Sequence, residues 1–151
     1  MERSGRGGKG GKVRKRVCAL DLGAARVGVA IDDELGLYAH GRGVLDGRDT
    51  KALLRHLADM VEEDGVGRFL VGLPLDMKGG EGDAARKARL LAQRIADATG
   101  VEVELIDERL STVQARRALA ASEVHGKKAR ARIDEVSAAT LLQAWLDARR
   151  E

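Results

Sequence analysis

Aromatic side chains are almost missing from this chain: Tyr38, Phe69 and Trp145 are all it has. Three scattered rings cannot form a row of stacking platforms, which excludes binding of single-stranded nucleic acid by base stacking. Cys18 is the only cysteine. It cannot close an internal disulfide, and its apolar setting marks it as a small buried hydrophobe rather than a reactive thiol. Cys18, His40, His56 and His125 show no zinc-ligand spacing. No apolar run approaches the length needed to span a bilayer, and none follows the basic start as it would in a secretory leader. These absences predict a cytoplasmic protein with no membrane contact. Any nucleic acid it binds should be held electrostatically, through the backbone.

What is present is charge, unevenly spread. The net charge is +3, yet residues 1–16 alone carry +6, from seven bases and Glu2. The remainder is therefore −3. A Gly/Arg/Lys arm with almost no apolar content cannot offset the entropy of ordering it. Residues 1–13 are read as a disordered phosphate-binding arm, with a merely solubilising extension as the alternative. Apolar residues make up 44% of the 151, enough for one globular domain over 14–151.

Hydrophobic patterning predicts strands over 13–21, 27–31, somewhere within 37–45, 66–72 and 101–106. Helices are predicted from Asp49 or Thr50 to about Asp64, over Asp83–Thr99 with Gly100 as the stop, from Ser111 to about Ala121, and over Ile133–Arg149. Residues 122–132 read as a mobile basic loop. Leu73–Gly82 is a loop rich in chain breakers. Strands alternating with helices in the second half imply an α/β fold: a mixed sheet with helices on both faces.

Three segments deliver carboxylates to element ends. Asp21 ends the first apolar strand, Asp107 and Glu108 end the last, and Asp134 opens the C-terminal helix. From Asp134, the helical stripe runs through Ser137, Ala138, Leu141, Leu142 and Trp145, so this acid points towards the core. Burying a carboxylate without a partner is costly, which implies a metal or a base. The alternatives are ordinary: a turn aspartate at Asp21, a surface acid pair at 107–108, and a helix-start acid at Asp134. Together the acids form an oxygen-rich set suited to hard cations, Mg²⁺ or Mn²⁺, and two such ions would serve phosphoryl displacement. Candidate phosphate contacts are Arg14, Lys15 and Arg16, then Arg109, and then Lys127, Lys128, Arg130 and Arg132 just before Asp134.

Four motifs in order, Asp21-Leu-Gly-Ala-Ala-Arg-Val-Gly-Val-Ala30, Val71-Gly-Leu-Pro-Leu-Asp-Met-Lys-Gly-Gly-Glu-Gly82, Asp107-Glu-Arg-Leu-Ser-Thr112 and Ile133-Asp-Glu-Val-Ser-Ala-Ala139, resemble the YqgF/RuvX family over about residues 14–148. The resemblance implies a ribonuclease H-like fold with a five-stranded mixed sheet, and a relation to Holliday junction resolvases. It implies a nuclease that matures the five-prime end of small-subunit ribosomal RNA precursors. It carries catalytic acids onto Asp21, Glu108 and Asp134, with Asp107 as helper. Departures occur at Asp76, Lys78 and the Ala24–Ala25 pair, where the family commonly has Asn, Asp and a polar or basic residue; none removes a proposed ligand.

Other readings remain open at this level. The same chemistry could act on branched DNA, and a resolvase would be a symmetric homodimer where an RNA nuclease could be a monomer. A non-catalytic RNA-binding assembly factor could keep the fold. A sugar kinase-like ATPase also opens with Asp-Leu-Gly, but needs two such domains.

Overall fold

A computed structural model of the chain describes residues 14–110 and 126–150. The basic arm, the helix expected over 111–121 and His125 lie outside those residues. The described elements are β1 (Arg16–Leu22), β2 (Arg26–Asp32), β3 (Ala39–Asp46), α1 (Thr50–Asp64), β4 (Val66–Leu73), α2 (Asp83–Thr99), β5 (Glu102–Asp107), a 3₁₀ turn (Glu108–Leu110) and a long helix, α3 (Lys127–Arg149). The five strands form one sheet in the order β3-β2-β1-β4-β5. β1 pairs antiparallel with β2, and β2 with β3; β1–β4 and β4–β5 are parallel. This is the expected mixed sheet. The apolar strand β4 has neighbours on both sides, as its run of buried residues requires.

Alternation along the strands divides the core in two. Cys18 and Leu20, Val29 and Ile31, and Phe69 and Val71 pack with Leu57 of α1 and Ile95 of α2 on one face. Val17 and Ala19, Ala30, and Leu70 pack with Ala138, Leu141, Leu142 and Leu146 of α3 on the other. The α3 face thus carries several small side chains where the α1–α2 face carries large ones. That difference lets α3 lie close to the strands.

The sequence expectation holds well for α1, where Asp49 caps the helix by accepting from the Ala52 amide at 3.1 Å. Two boundaries differ. Strand β3 begins at Ala39 because Leu37 is engaged in a turn: its amide donates to Asp33 Oδ1, and its carbonyl accepts from Gln143 of α3. The larger correction concerns residues 127–132, expected as a loop and found as the first turns of α3. Lys, Ala and Arg are strong helix formers, and no glycine or proline interrupts the run after Gly126. A solvated basic surface hides helical periodicity without opposing the helix.

Two ion networks fasten the edges. Asp32 is fully buried at the end of β2; it accepts from Arg14 at 2.6 Å and from the Val17 amide at 2.9 Å, while Arg16 donates to its carbonyl at 2.7 Å. At the other edge, Arg149 lies 3.9 Å from the centroid of the Trp145 ring, whose Nε1 donates to Glu104 on β5 at 3.3 Å.

Burial raises the Cys18 thiol far above its ordinary range, and the residue has no exposed surface. The native protein should therefore resist a thiol reagent such as dithionitrobenzoate and release one equivalent on unfolding. Rapid reaction of the folded protein would show that β1 opens locally.

Candidate active site

Asp21 belongs to the α3 face of the sheet, because it continues the alternation of Val17 and Ala19. It is 1% exposed. On one side it pairs in register with Gly28 of β2. On the other it lies one step beyond the Leu20–Val71 pair, beside Gly72 of β4. These two glycines are seats for the other acids. A Cβ at Gly28 would overlap the backbone carbonyl of Asp134, and one at Gly72 would come within 3.1 Å of the Glu108 side-chain carboxyl carbon. Asp134 and Glu108 are themselves buried. The carboxyl ends of β1 and β5 and one turn of α3 thus bring Asp21, Glu108 and Asp134 to the same face, across three neighbouring strands.

The β1–β2 hairpin grips Asp134 at three points. Its turn closes through a 2.7 Å hydrogen bond from the Gly23 amide to the Arg26 carbonyl. A Cβ at Gly23 would stand 2.6 Å from Asp134 Oδ2, and Arg26 Nε lies 3.5 Å from the same oxygen. Gly28 accommodates the helix backbone. The spacing Asp21-x-Gly23-x-x-Arg26-x-Gly28 is therefore the footprint of one helix residue on a hairpin. Asp134 is the eighth residue of α3, not its opening residue, so the helix-cap alternative does not apply. Of the stripe expected from it, Ser137, Ala138, Leu141 and Leu142 are buried, and Trp145 is partly buried against the same cluster. The next residue, Glu135, anchors the other flank of α3 by accepting from the Gly43 amide of β3 at 2.7 Å.

Asp107 is not brought to this group. Alternation places it with Val103 and Leu105, on the α1–α2 face. Arg109 holds it with hydrogen bonds of 2.8 and 3.1 Å, and this contact keeps its carboxyl below the usual carboxylate range. Arg109 also donates to the carbonyls of Asp76 and Met77, so it ties the breaker-rich loop after β4 to the end of β5. Asp76 shapes that loop by accepting from the amides of Lys78 and Gly80.

The basic candidates fall into separate places. Lys128, Arg130 and Arg132 are exposed on the first turns of α3. Lys128 and Arg132 line an open groove between this helix and Gly43–Val44 of β3, next to Glu135. Arg14 and Arg16 sit at the opposite end of β1 from Asp21, bound to Asp32. Lys15 packs against Gly67 of β4. His40 and His56 are exposed.

Two charged residues had no assigned part in the linear reading, the half-buried Arg26 and the buried Asp32. Their pairings span long sequence separations, and only the position of Arg26 between two fixed glycines hints at its use. Among the described residues, as the side chains stand, no three His, Cys, Asp or Glu surround a common point closely enough to hold an ion. The donor chemistry nevertheless suits a hard divalent cation: three buried carboxylates from three elements, with no sulfur or imidazole beside them in the described structure. Gly28→Ala should lower stability by about 2 kcal/mol or more, because the clash is with helix backbone that cannot turn aside. Gly82→Ala, with nothing within 4 Å of its Cβ, is the control. Equal urea midpoints for the two variants would refute the seating of α3 described here.

A family model described as "RuvX: Holliday junction resolvase" matches residues 15–148. A protein of Anaeromyxobacter sp. (strain Fw109-5) named "Putative pre-16S rRNA nuclease" is 45% identical over 134 residues, covering 89% of this chain and 98% of that protein. A protein of the same name from Myxococcus xanthus (strain DK1622) is 45% identical over 135 residues, covering 89% of each. Among solved structures, T. thermophilus RuvC in complex with a Holliday junction substrate superposes with a TM-score of 0.58 at 14% identity, over 91% of this chain and 96% of that one. That likeness establishes the ribonuclease H-like fold.

Proposed function

The chain belongs to the RuvX family, and from that premise we propose that it is a divalent-metal-dependent nuclease that matures the five-prime end of the 16S ribosomal RNA precursor in the cytoplasm. The observation that carries the chemistry is the convergence of Asp21, Glu108 and Asp134 on one sheet face at the carboxyl ends of the strands, where sites form in open α/β sheets. The choice of substrate rests on the names of the curated relatives.

In this reading Asp21, Glu108 and Asp134 hold Mg²⁺ or Mn²⁺, two ions in the full site. Bound there, the metal supplies an activated water and neutralises charge on the leaving oxygen. The protein supplies the rest. The glycine seats fix the three carboxylates before substrate arrives, so little reorganisation is needed in the reaction. Packing of α3 against the hairpin excludes water from their inner side. Arg109 keeps Asp107 out of the donor set and steadies the neighbouring loop. Lys128 and Arg132, with Arg130 and Lys127, bind backbone phosphates and orient the strand towards Asp134. The basic arm adds phosphate contacts without sequence preference.

The family description and the RuvC fold favour one second reading, cleavage of branched DNA by a homodimer. Labelled precursor RNA, single-stranded DNA and a four-way DNA junction, incubated side by side with Mg²⁺ or Mn²⁺, separate the two. Precursor RNA should be cut, and Asp21→Asn or Asp134→Asn should lower the rate at least about 10²-fold. Paired cuts in the junction with RNA spared would select the resolvase. Binding without cutting of any substrate would make the protein an assembly factor. On RNA, Lys128→Ala and Arg132→Ala should each flatten the slope of log affinity against log salt by about 0.7, the value for one lost phosphate contact on a single strand. An unchanged slope would remove the groove from the binding surface.

A further inference from the structure

The groove between α3 and β3 holds a carboxylate among cations. Lys128, Arg132 and Glu135 follow one another at intervals of four and three residues, so they share one flank of the helix. Gly43 and Val44 form the facing wall. The groove has a volume of about 430 Å³, within the range of sites that take small ligands. Among the described residues, no ion pair joins either cation to Glu135. The cations suit phosphates, yet a carboxylate beside a phosphate is repelled by it. The place of Glu135 therefore calls for an explanation.

Strand β3 holds this carboxylate in place. Arg42 and Gly43 together oppose the single residue Val29 of β2, between the Gly28–Val44 and Ala30–Gly41 pairs. This is a β-bulge, and Gly43 takes the left-handed conformation in it, with a φ of 81°. The Gly43 amide donates to Glu135 Oε2 at 2.7 Å. Gly41 leaves room for the same oxygen, since a Cβ there would stand 2.5 Å from it. The second oxygen, Oε1, has no hydrogen-bond or ion-pair partner among the described residues, and Glu135 lies half-buried on the groove. Anchoring α3 uses Oε2 alone. Glu135 is also distinct from the acid set, because Asp134 faces Gly23 and Gly28 of the β1–β2 hairpin instead.

An ionised carboxylate oxygen only accepts hydrogen bonds. The groove thus suits a ligand that brings phosphates to the cations and a donor to Oε1. A ribonucleotide strand offers both, since its 2′-hydroxyl is a donor. A deoxyribonucleotide strand offers the phosphates without that donor. We propose that Glu135 is the residue that tells RNA from DNA: Oε1 accepts from a ribose 2′-hydroxyl while Lys128 and Arg132 hold neighbouring phosphates. This rests on the nuclease reading above and deepens it, because it draws the choice of RNA from residues of the chain. The discrimination has two parts. The hydrogen bond favours RNA, and the unrelieved repulsion between carboxylate and phosphate disfavours DNA.

The test is the affinity of the full-length protein for a labelled single-stranded RNA and for the DNA of the same sequence. It is read by fluorescence anisotropy at one salt concentration, in EDTA so that nothing is cut. The wild type should bind the RNA at least about tenfold more tightly, the worth of one hydrogen bond to a charged group. Glu135→Ala should bring the ratio to within about twofold, by weakening RNA and strengthening DNA. Single 2′-deoxy or 2′-O-methyl sugars, placed one at a time along the RNA, should reproduce the loss at one or two positions in the wild type and at none in Glu135→Ala. Lys128→Ala should weaken RNA and DNA by the same factor and leave the ratio alone. Loss of the α3 anchor by itself weakens both strands alike, so a merely structural part for Glu135 does not move the ratio. A wild-type ratio near one, or a ratio that Glu135→Ala leaves unchanged, would overturn the proposal. Cutting of precursor RNA by the same preparation with Mg²⁺ then leaves the nuclease reading standing. A wild type that neither binds these strands nor cuts precursor RNA would overturn that reading, and the proposal with it.

Discussion

Everything at the candidate site depends on how closely α3 approaches the β1–β2 hairpin. The approach is possible because Gly28 has no side chain where the carbonyl of Asp134 passes. Ala19 and Ala30 extend the same low surface along the sheet, and Ala138 meets it from the helix. If this surface were raised by one methyl group, the helix would have to lift or rotate. Asp134 would then leave Gly23 and Arg26, and the three acids would no longer share a face. Packing here decides chemistry, since the same contact that buries the core also sets the distance between carboxylates.

Three carboxylates, Asp21, Glu108 and Asp134, are buried on one face of the sheet, and a buried carboxylate is costly unless it is paired. Asp32, a fourth buried acid at the far end of β1, has a carboxylate that accepts from Arg14 and the Val17 amide, with Arg16 Nε 4.0 Å away and bonded to its backbone carbonyl.

The fold was legible wherever local chemistry and tertiary environment agreed. Helix α2 has a buried stripe of Ala85, Ala88, Leu91, Ala92 and Ile95 and a glycine stop, so its bounds follow from the sequence. The start of α3 was not legible, because Lys128, Arg130 and Arg132 are exposed and residues 127–132 carry no apolar period, though their propensity is helical. Within the site, Asp21 and Glu108 could be placed at strand ends from patterning. The choice between Asp107 and Glu108 could not be made there. It depends on which face of β5 each side chain takes, and on Arg109 two residues further on. Arg26 was legible only as part of a family motif, since its partner is over a hundred residues away. Its meaning is spatial.

Trp145 lies on the same helix as Asp134, three turns further along, with Arg149 over its ring and Glu104 at its indole nitrogen. It is the only tryptophan in the chain. Its emission therefore has a single origin, and the sheet residues beside it, Glu104 at the indole nitrogen and Arg68 5.9 Å from the ring centroid, are brought there by the docking of α3 on the edge of the sheet. The helix that carries the acid also carries its own optical reporter. Seating of the site can be followed in an unlabelled protein, in real time, as a change in one fluorophore.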